Sequence, residues 1–167
     1  AGIFNLTSSG ILSMDIFILK LNAAGNFVWA KKMDGTNTDH GRSIHCDASG
    51  NVYTTGNFSG SVDFDPGAGI FVLTSAGSYD IFISKLDSAG NFIWAKKIGG
   101  TGNDFGWSIS SDAAGNVYTT GEFRGIVDID PGLATHNMVS AGNADIFISK
   151  IDSAGNYEKK KKIGGSG

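Results

Sequence analysis

Proline and cysteine are nearly absent from this sequence: 2 prolines and 1 cysteine stand among 167 residues. A single thiol, Cys46, excludes an internal disulfide framework and a cysteine-based zinc site. Its place in a repeated strand, opposite Ser111 in the next copy, predicts a small, partly buried side chain. Charge is sparse as well. Thirteen basic against 16 acidic side chains leave a formal net charge of −3, and nothing marks a binder of nucleic acid or other polyanions. No run approaches the ~18 apolar residues of a membrane-spanning helix, and no stretch resembles a signal peptide. Enzyme signatures are missing too: no Gly-x-Ser-x-Gly elbow, P-loop or His-Glu-x-x-His pattern occurs. The three histidines, His40, His45 and His136, lack metal-ligand spacing. The carboxylates recur from copy to copy, so they single out no acid–base pair, and no enzyme activity is expected.

Glycine, by contrast, is abundant. Its 25 residues are about twice the usual ~7%. So much glycine with so little proline predicts many tight turns between short strands, and a hydrophobic fraction of 41% supports a packed core.

The chain repeats. Asp15-Ile16-Phe17-Ile18 returns at Asp80–Ile83 and at Asp145–Ile148. Residues 34–98 and 99–163 align without a gap and share about 39 of 65 positions. Residues 1–33 match only the second half of a unit. Each unit holds four strand signals, A to D, such as Arg42–Cys46, Val52–Phe58, Ile81–Leu86 and Phe92–Ile98. The A–B and C–D links carry Asp-x-x-Gly-Asn, at Asp47–Asn51, Asp87–Asn91, Asp112–Asn116 and Asp152–Asn156, with Asn22–Asn26 as a near copy. In such a link Asp accepts from turn amides and Gly takes the left-handed conformation of a bulged hairpin. The B–C link is long, 59–79 and 124–144, with an alternating segment at Ile70–Thr74 that predicts an extra hairpin within the unit. Ile81-Phe82-Ile83 and Phe92-Ile93-Trp94-Ala95 are apolar on both faces and need cover on both sides. Phe82, Trp94, Tyr53 and Ile44, with Phe147, Tyr118 and Ile109, are therefore expected to be buried.

The repeated motifs are Gly-Thr-x-x-Asp-x-Gly-x-Ser-Ile (Gly35–Ile44, Gly100–Ile109), Asp-x-x-Gly-Asn-Val-Tyr-Thr-Thr-Gly-x-Phe, Val-Asp-x-Asp-Pro-Gly (Val62–Gly67, Val127–Gly132) and Asp-Ile-Phe-Ile-Ser-Lys. Together they resemble the bacterial SBBP-type β-propeller repeat, a distant relative of WD-type blades. The resemblance covers nearly the whole chain. It implies an all-β fold of tandem four-stranded antiparallel blades: a half blade with strands C and D at 1–33, a full blade at 34–98, and a full blade with the start of the next repeat at 99–167. It also implies a large secreted or cell-surface protein and no shared enzyme activity. A closed ring takes four to eight blades, so two and a half are expected to be part of a longer protein or to self-associate. The last strand departs from its copy: Glu158 and Lys159 replace Ile93 and Trp94, which predicts a lysine-guarded terminal edge.

If the A–B and C–D turns share one end of a blade, the B–C and D–A connections share the other. There the copies differ: His40 against Phe105, Arg42 against Trp107, Asn57 against Glu122, Ser59 against Arg124. His40, Arg42, Asn57, Phe105, Trp107, Glu122 and Arg124 are thus the candidate binding residues for a protein or carbohydrate ligand. Asp63 and Asp65, with Asp128 and Asp130, lie two apart on extended chain and point to one side, an arrangement that calcium would relieve of charge repulsion. The function so read is a non-catalytic extracellular scaffold or adhesive surface. The alternative is a fragment of a propeller enzyme acting on polysaccharide.

Overall fold

The computed structural model describes residues 4–9 and 13–165. Parts of the expected half blade, residues 1–3 and 10–12, and the expected start of a further strand at Ser166 and Gly167 lie outside the described residues. Fourteen strands and no α-helix occur among the described residues. β1 (Ile16–Leu21) and β2 (Phe27–Gly35) are strands C and D of the first unit. The second unit runs through β3 (His40–Cys46), β4 (Val52–Phe58), β5 (Ser61–Asp63), β6 (Val72–Thr74), β7 (Asp80–Leu86) and β8 (Phe92–Gly100). The third repeats it as β9 (Phe105–Ser111), β10 (Val117–Phe123), β11 (Ile126–Asp128), β12 (Asn137–Val139), β13 (Asp145–Ile151) and β14 (Tyr157–Ile163).

Strands A to D of each complete unit pair antiparallel in chain order, β3-β4-β7-β8 and β9-β10-β13-β14. These are blades, and they do not close a ring. The B–C insertion is a hairpin, but it leaves its own unit's sheet. β5 pairs with β2 of the preceding blade at Asp34↔Asp63 and Gly35↔Val62, and β11 pairs with β8 at Gly99↔Asp128 and Gly100↔Val127. The middle sheet therefore has six strands, in the order β12-β11-β8-β7-β4-β3. The physical cause is edge pairing. Strand D ends a blade with open amides and carbonyls, and the next unit's hairpin pairs with its last two residues.

The core lies between blades. Ile16, Ile18 and Met33 of the first sheet share a buried cluster with Val52, Phe58, Phe82 and Leu86 of the second. One unit on, Ile81, Ile83 and Ile98 join Val117, Phe123, Phe147 and Ile151 in the same arrangement. Every residue of β4 and β7 is buried, as strands covered on both faces must be. Each fully buried Ile, Leu or Phe contributes about 1.5–3 kcal/mol. A polar clasp accompanies this packing. Trp29 Nε1 donates to the Ser88 carbonyl at 3.3 Å, and Trp94 Nε1 to the Ser153 carbonyl at 3.2 Å. Lys20 and Lys85 donate to the same two carbonyls.

Three burial expectations need correction. Ile44 is 55% exposed, although its copy Ile109 is 5% exposed. Ile44 lines an open groove with Phe17 and Ile18 of β1, whereas Ile109 sits in the cluster with Tyr53 and Ile83. Tyr118 is 38% exposed, whereas Tyr53 is fully buried in the cluster it shares with Ile109 and Val117 of the third blade. Cys46, at the end of edge strand β3, is exposed. Phe82, Trp94, Tyr53, Phe147 and Ile109 are buried as expected. β14 is an edge strand, and two of its lysines turn back into the fold: Lys160 and Lys162 donate to carbonyls of the β12 hairpin.

Candidate ligand-binding face

The five Asx-led turns hold one end of the blades. In the A–B turn of the second unit, Asp47 Oδ1 accepts the amides of Ser49 and Asn51, both at 2.9 Å, and Gly50 sits at φ 79°. Asp87, Asp112 and Asp152 repeat the pattern. Carboxylate pKa values fall at these turns because the amides stabilise the ionised form.

The opposite end is organised by two buried carboxylates from the repeated Gly-Thr-x-x-Asp motif. Asp39 accepts the amide of Ser59 at 3.0 Å. Asp104 accepts the amides of Arg124 at 3.0 Å and Gly100 at 2.9 Å. Each one thereby ties the D–A loop to the start of the B–C connection. Burial pushes both carboxyls up to about 6. Gly56 completes the junction, since a Cβ there would collide with the backbone carbonyl of His40. Strands A and B can close over this point only because the position is glycine.

The ties bring the predicted binding residues of two neighbouring units together. Arg42 Nε donates to Asn57 Oδ1 at 3.3 Å, and the Arg42 guanidinium lies 4.9 Å from the centre of the Trp107 ring. Trp107 stacks on Phe105 at 5.8 Å, Phe105 meets Tyr79 at 5.8 Å, and Tyr79 meets His40 at 6.5 Å. His40 is the cross-strand partner of Asn57, which closes the circuit. Glu122 is the cross-strand partner of Phe105, and Arg124 reaches Glu122 at 3.7 Å, so this pair forms the rim. Arg42 and Trp107 are exposed, Asn57 is buried, and the others lie between. Burial and the Arg42 charge lower the pKa of His40, which favours its neutral ring near neutral pH. Tyr79 was not among the predicted residues. Its copy is Ala144, and that difference between units is the same signal that marked the others.

The arrangement presents aromatic faces, one guanidinium and amide hydrogen-bonding groups. No nucleophile and base are paired within it. The groups it offers are those of stacking, cation–π contact and bidentate hydrogen bonding.

The aspartates considered for calcium lie elsewhere, on the outer rim. Asp63 Oδ1 accepts the amides of Asp65 and Phe71, and Asp65 Oδ1 accepts that of Gly67. Asp128 and Asp130 repeat these bonds, and Asp130 Oδ2 meets His136 Nδ1 at 2.9 Å. One oxygen of each carboxylate is thus committed to shaping the Asp-Pro-Gly turn. No group of three or more metal-ligating side chains occurs among the described residues.

No family model matches the chain. The chain is 33% identical over 138 residues to an uncharacterized WD repeat-containing protein of Acanthamoeba polyphaga mimivirus, an alignment covering 74% of this chain and 9% of that protein. It is 25% identical over 150 residues to the regulatory protein FlaEY of Caulobacter vibrioides, covering 87% of this chain and 15% of that protein. The chain therefore spans less than a sixth of the length of the curated relatives it matches. The likeness to a WD repeat-containing protein agrees with the blades seen here: this is a β-rich chain built of repeats.

Proposed function

We propose that the chain is a section of a non-catalytic, propeller-type scaffold that holds a protein partner on the face bearing Arg42 and Trp107. The observation that carries this reading is the exposed Trp107 ring lying under the Arg42 guanidinium, contributed by adjacent repeats at a position where the repeats differ. A side chain spent on stacking blades would be buried like Trp94. One left 44% exposed and backed by a second aromatic is placed for contact with another molecule. Aromatic and arginine residues together are the usual anchors of protein interfaces. The resemblance of the repeats supports a secreted or surface-exposed setting, in which the scaffold is adhesive.

Peptide and glycan arrays probed with the labelled full chain and with Trp107→Ala test the reading. The expected result is a set of peptide signals lost in the variant. Peptide signals that survive in Trp107→Ala, or signals confined to glycans, would overturn a protein partner at this face.

A further inference from the structure

The outer rim carries the same groove twice. One, of about 470 Å³, lies between Ala30 on β2, the apolar pair Phe4 and Leu6, and the turn Asp63–Gly67. The second, of about 450 Å³, lies one repeat on, between Ala95 on β8, the pair Phe71 and Leu73, and the turn Asp128–Gly132. In the third repeat Lys160 stands where the first two have Ala30 and Ala95. Its ammonium donates to the carbonyls of His136 at 2.7 Å and Asn137 at 2.8 Å. The matching carbonyls in the second repeat belong to Phe71 and Val72. The fold thus displays an aliphatic ammonium seated at a place where the other two blades leave space.

The geometry points to a second binding site, distinct from the Arg42–Trp107 face: the grooves at Ala30 and Ala95 each take a lysine side chain from a partner protein. Apolar walls such as Phe71 and Leu73 suit the four-carbon arm, as apolar surface commonly accommodates lysine stems. The carbonyl pair receives the ammonium, and Asp128 and Asp130 supply negative charge beside it. The lysines already present do not cancel that charge. Lys97 lies 3.3 Å from the buried Asp80 carboxylate, and the Lys96 arm runs against Gly155 of the next blade. The groove at Ala30 has Asp63 and Asp65 at its turn, with Phe71 in place of the His136 that meets Asp130, and its Lys32 is held 2.9 Å from Asp34.

Saturation-transfer NMR on the full chain tests this with Nα-acetyl-lysine methylamide as probe and the norleucine analogue, which lacks the ammonium, as control. The lysine probe should give a saturable signal and the norleucine analogue none. Filling both grooves from within, by Ala30→Lys with Ala95→Lys, should abolish the signal as Lys160 fills the third. Should that variant fail to fold, Asp65→Asn with Asp130→Asn keeps the turn acceptors and removes the charge. It should weaken binding about two- to fivefold, the range of an exposed ion pair. Equal signals from both probes, or unchanged binding in the aspartate variant, would overturn the proposal.

Discussion

Replacing Trp94 with alanine removes a side chain that does two things at one blade junction. The indole is 8% exposed and packs edge-on to Tyr53 at 6.4 Å, and its N–H donates to the Ser153 carbonyl of the next blade. Losing a buried indole costs about 3–5 kcal/mol. For a chain of this length each kcal/mol lowers the unfolding midpoint by about 2–4 °C, so the expected fall is about 6–20 °C. Trp94→Phe keeps most of the volume and loses the hydrogen bond, for about 0.5–1.5 kcal/mol. Trp29 makes the same bond to Ser88 but is only half-buried, so Trp29→Ala should cost clearly less than Trp94→Ala. Thermal unfolding followed by far-UV circular dichroism reads all three without relying on tryptophan fluorescence. Repeat arrays can unfold in steps, so urea titration should accompany the melt. A midpoint unchanged in Trp94→Ala, or equal losses at the two tryptophans, would refute the clasp between blades.

Stability should peak in mildly acidic solution. Asp39 and Asp104 have pKa values raised to about 6, so the folded state binds more protons than the unfolded one between their ordinary pKa of 3.8 and about 6. Their contribution is therefore full below 3.8 and lost as pH rises through 6. Asp47, Asp112 and Asp152 are lowered, so theirs is present above 3.8 and lost on further acidification. Urea midpoints across pH 3–8 check the curve, and Asp39→Asn with Asp104→Asn should flatten its neutral limb. Gly56→Ala should destabilise far more than alanine at a typical strand glycine, because the new methyl meets the His40 carbonyl; a normal midpoint would remove the backbone closure described for that junction. The isolated chain should self-associate, since Phe17, Leu19 and Leu21 are 48–67% exposed on the first blade, and Ile146, Ile148 and Ile163 are 40–56% exposed on the third. Light scattering showing a monomer at high micromolar concentration would contradict it.

The features legible in the sequence were the local ones. An Asp-x-x-Gly-Asn turn is specified by its own five residues, since the carboxylate, the amides and the left-handed glycine all lie within it. The grouping of side chains at the opposite end was legible for a different reason: differences between copies marked His40, Arg42, Phe105 and Trp107, and these residues lie in one chain of ring and guanidinium contacts. What could not be read was anything set by position in the array. Ile44 and Ile109 hold the same place in the repeat and have opposite exposure, because Ile109 packs into a cluster with Tyr53, Ile81 and Ile83 of the preceding blade and Ile44 does not. The destination of the insertion hairpin was hidden in the same way. β5 and β6 alternate correctly for an extra hairpin, but the attachment of β5 to β2 rests on just two residue pairs, one full repeat before the unit's own last strand.

That backward attachment has a consequence for how such a chain grows or is cut. A unit excised at its sequence boundaries would carry a hairpin with nothing to join and a final strand with nothing on its rim. The piece of chain that duplicates is therefore offset from the piece that completes a sheet. Each copy added downstream arrives with the fastener for the copy before it. Lengthening the array seals an old edge at the moment it opens a new one, so the number of open rims stays constant however many units are strung together.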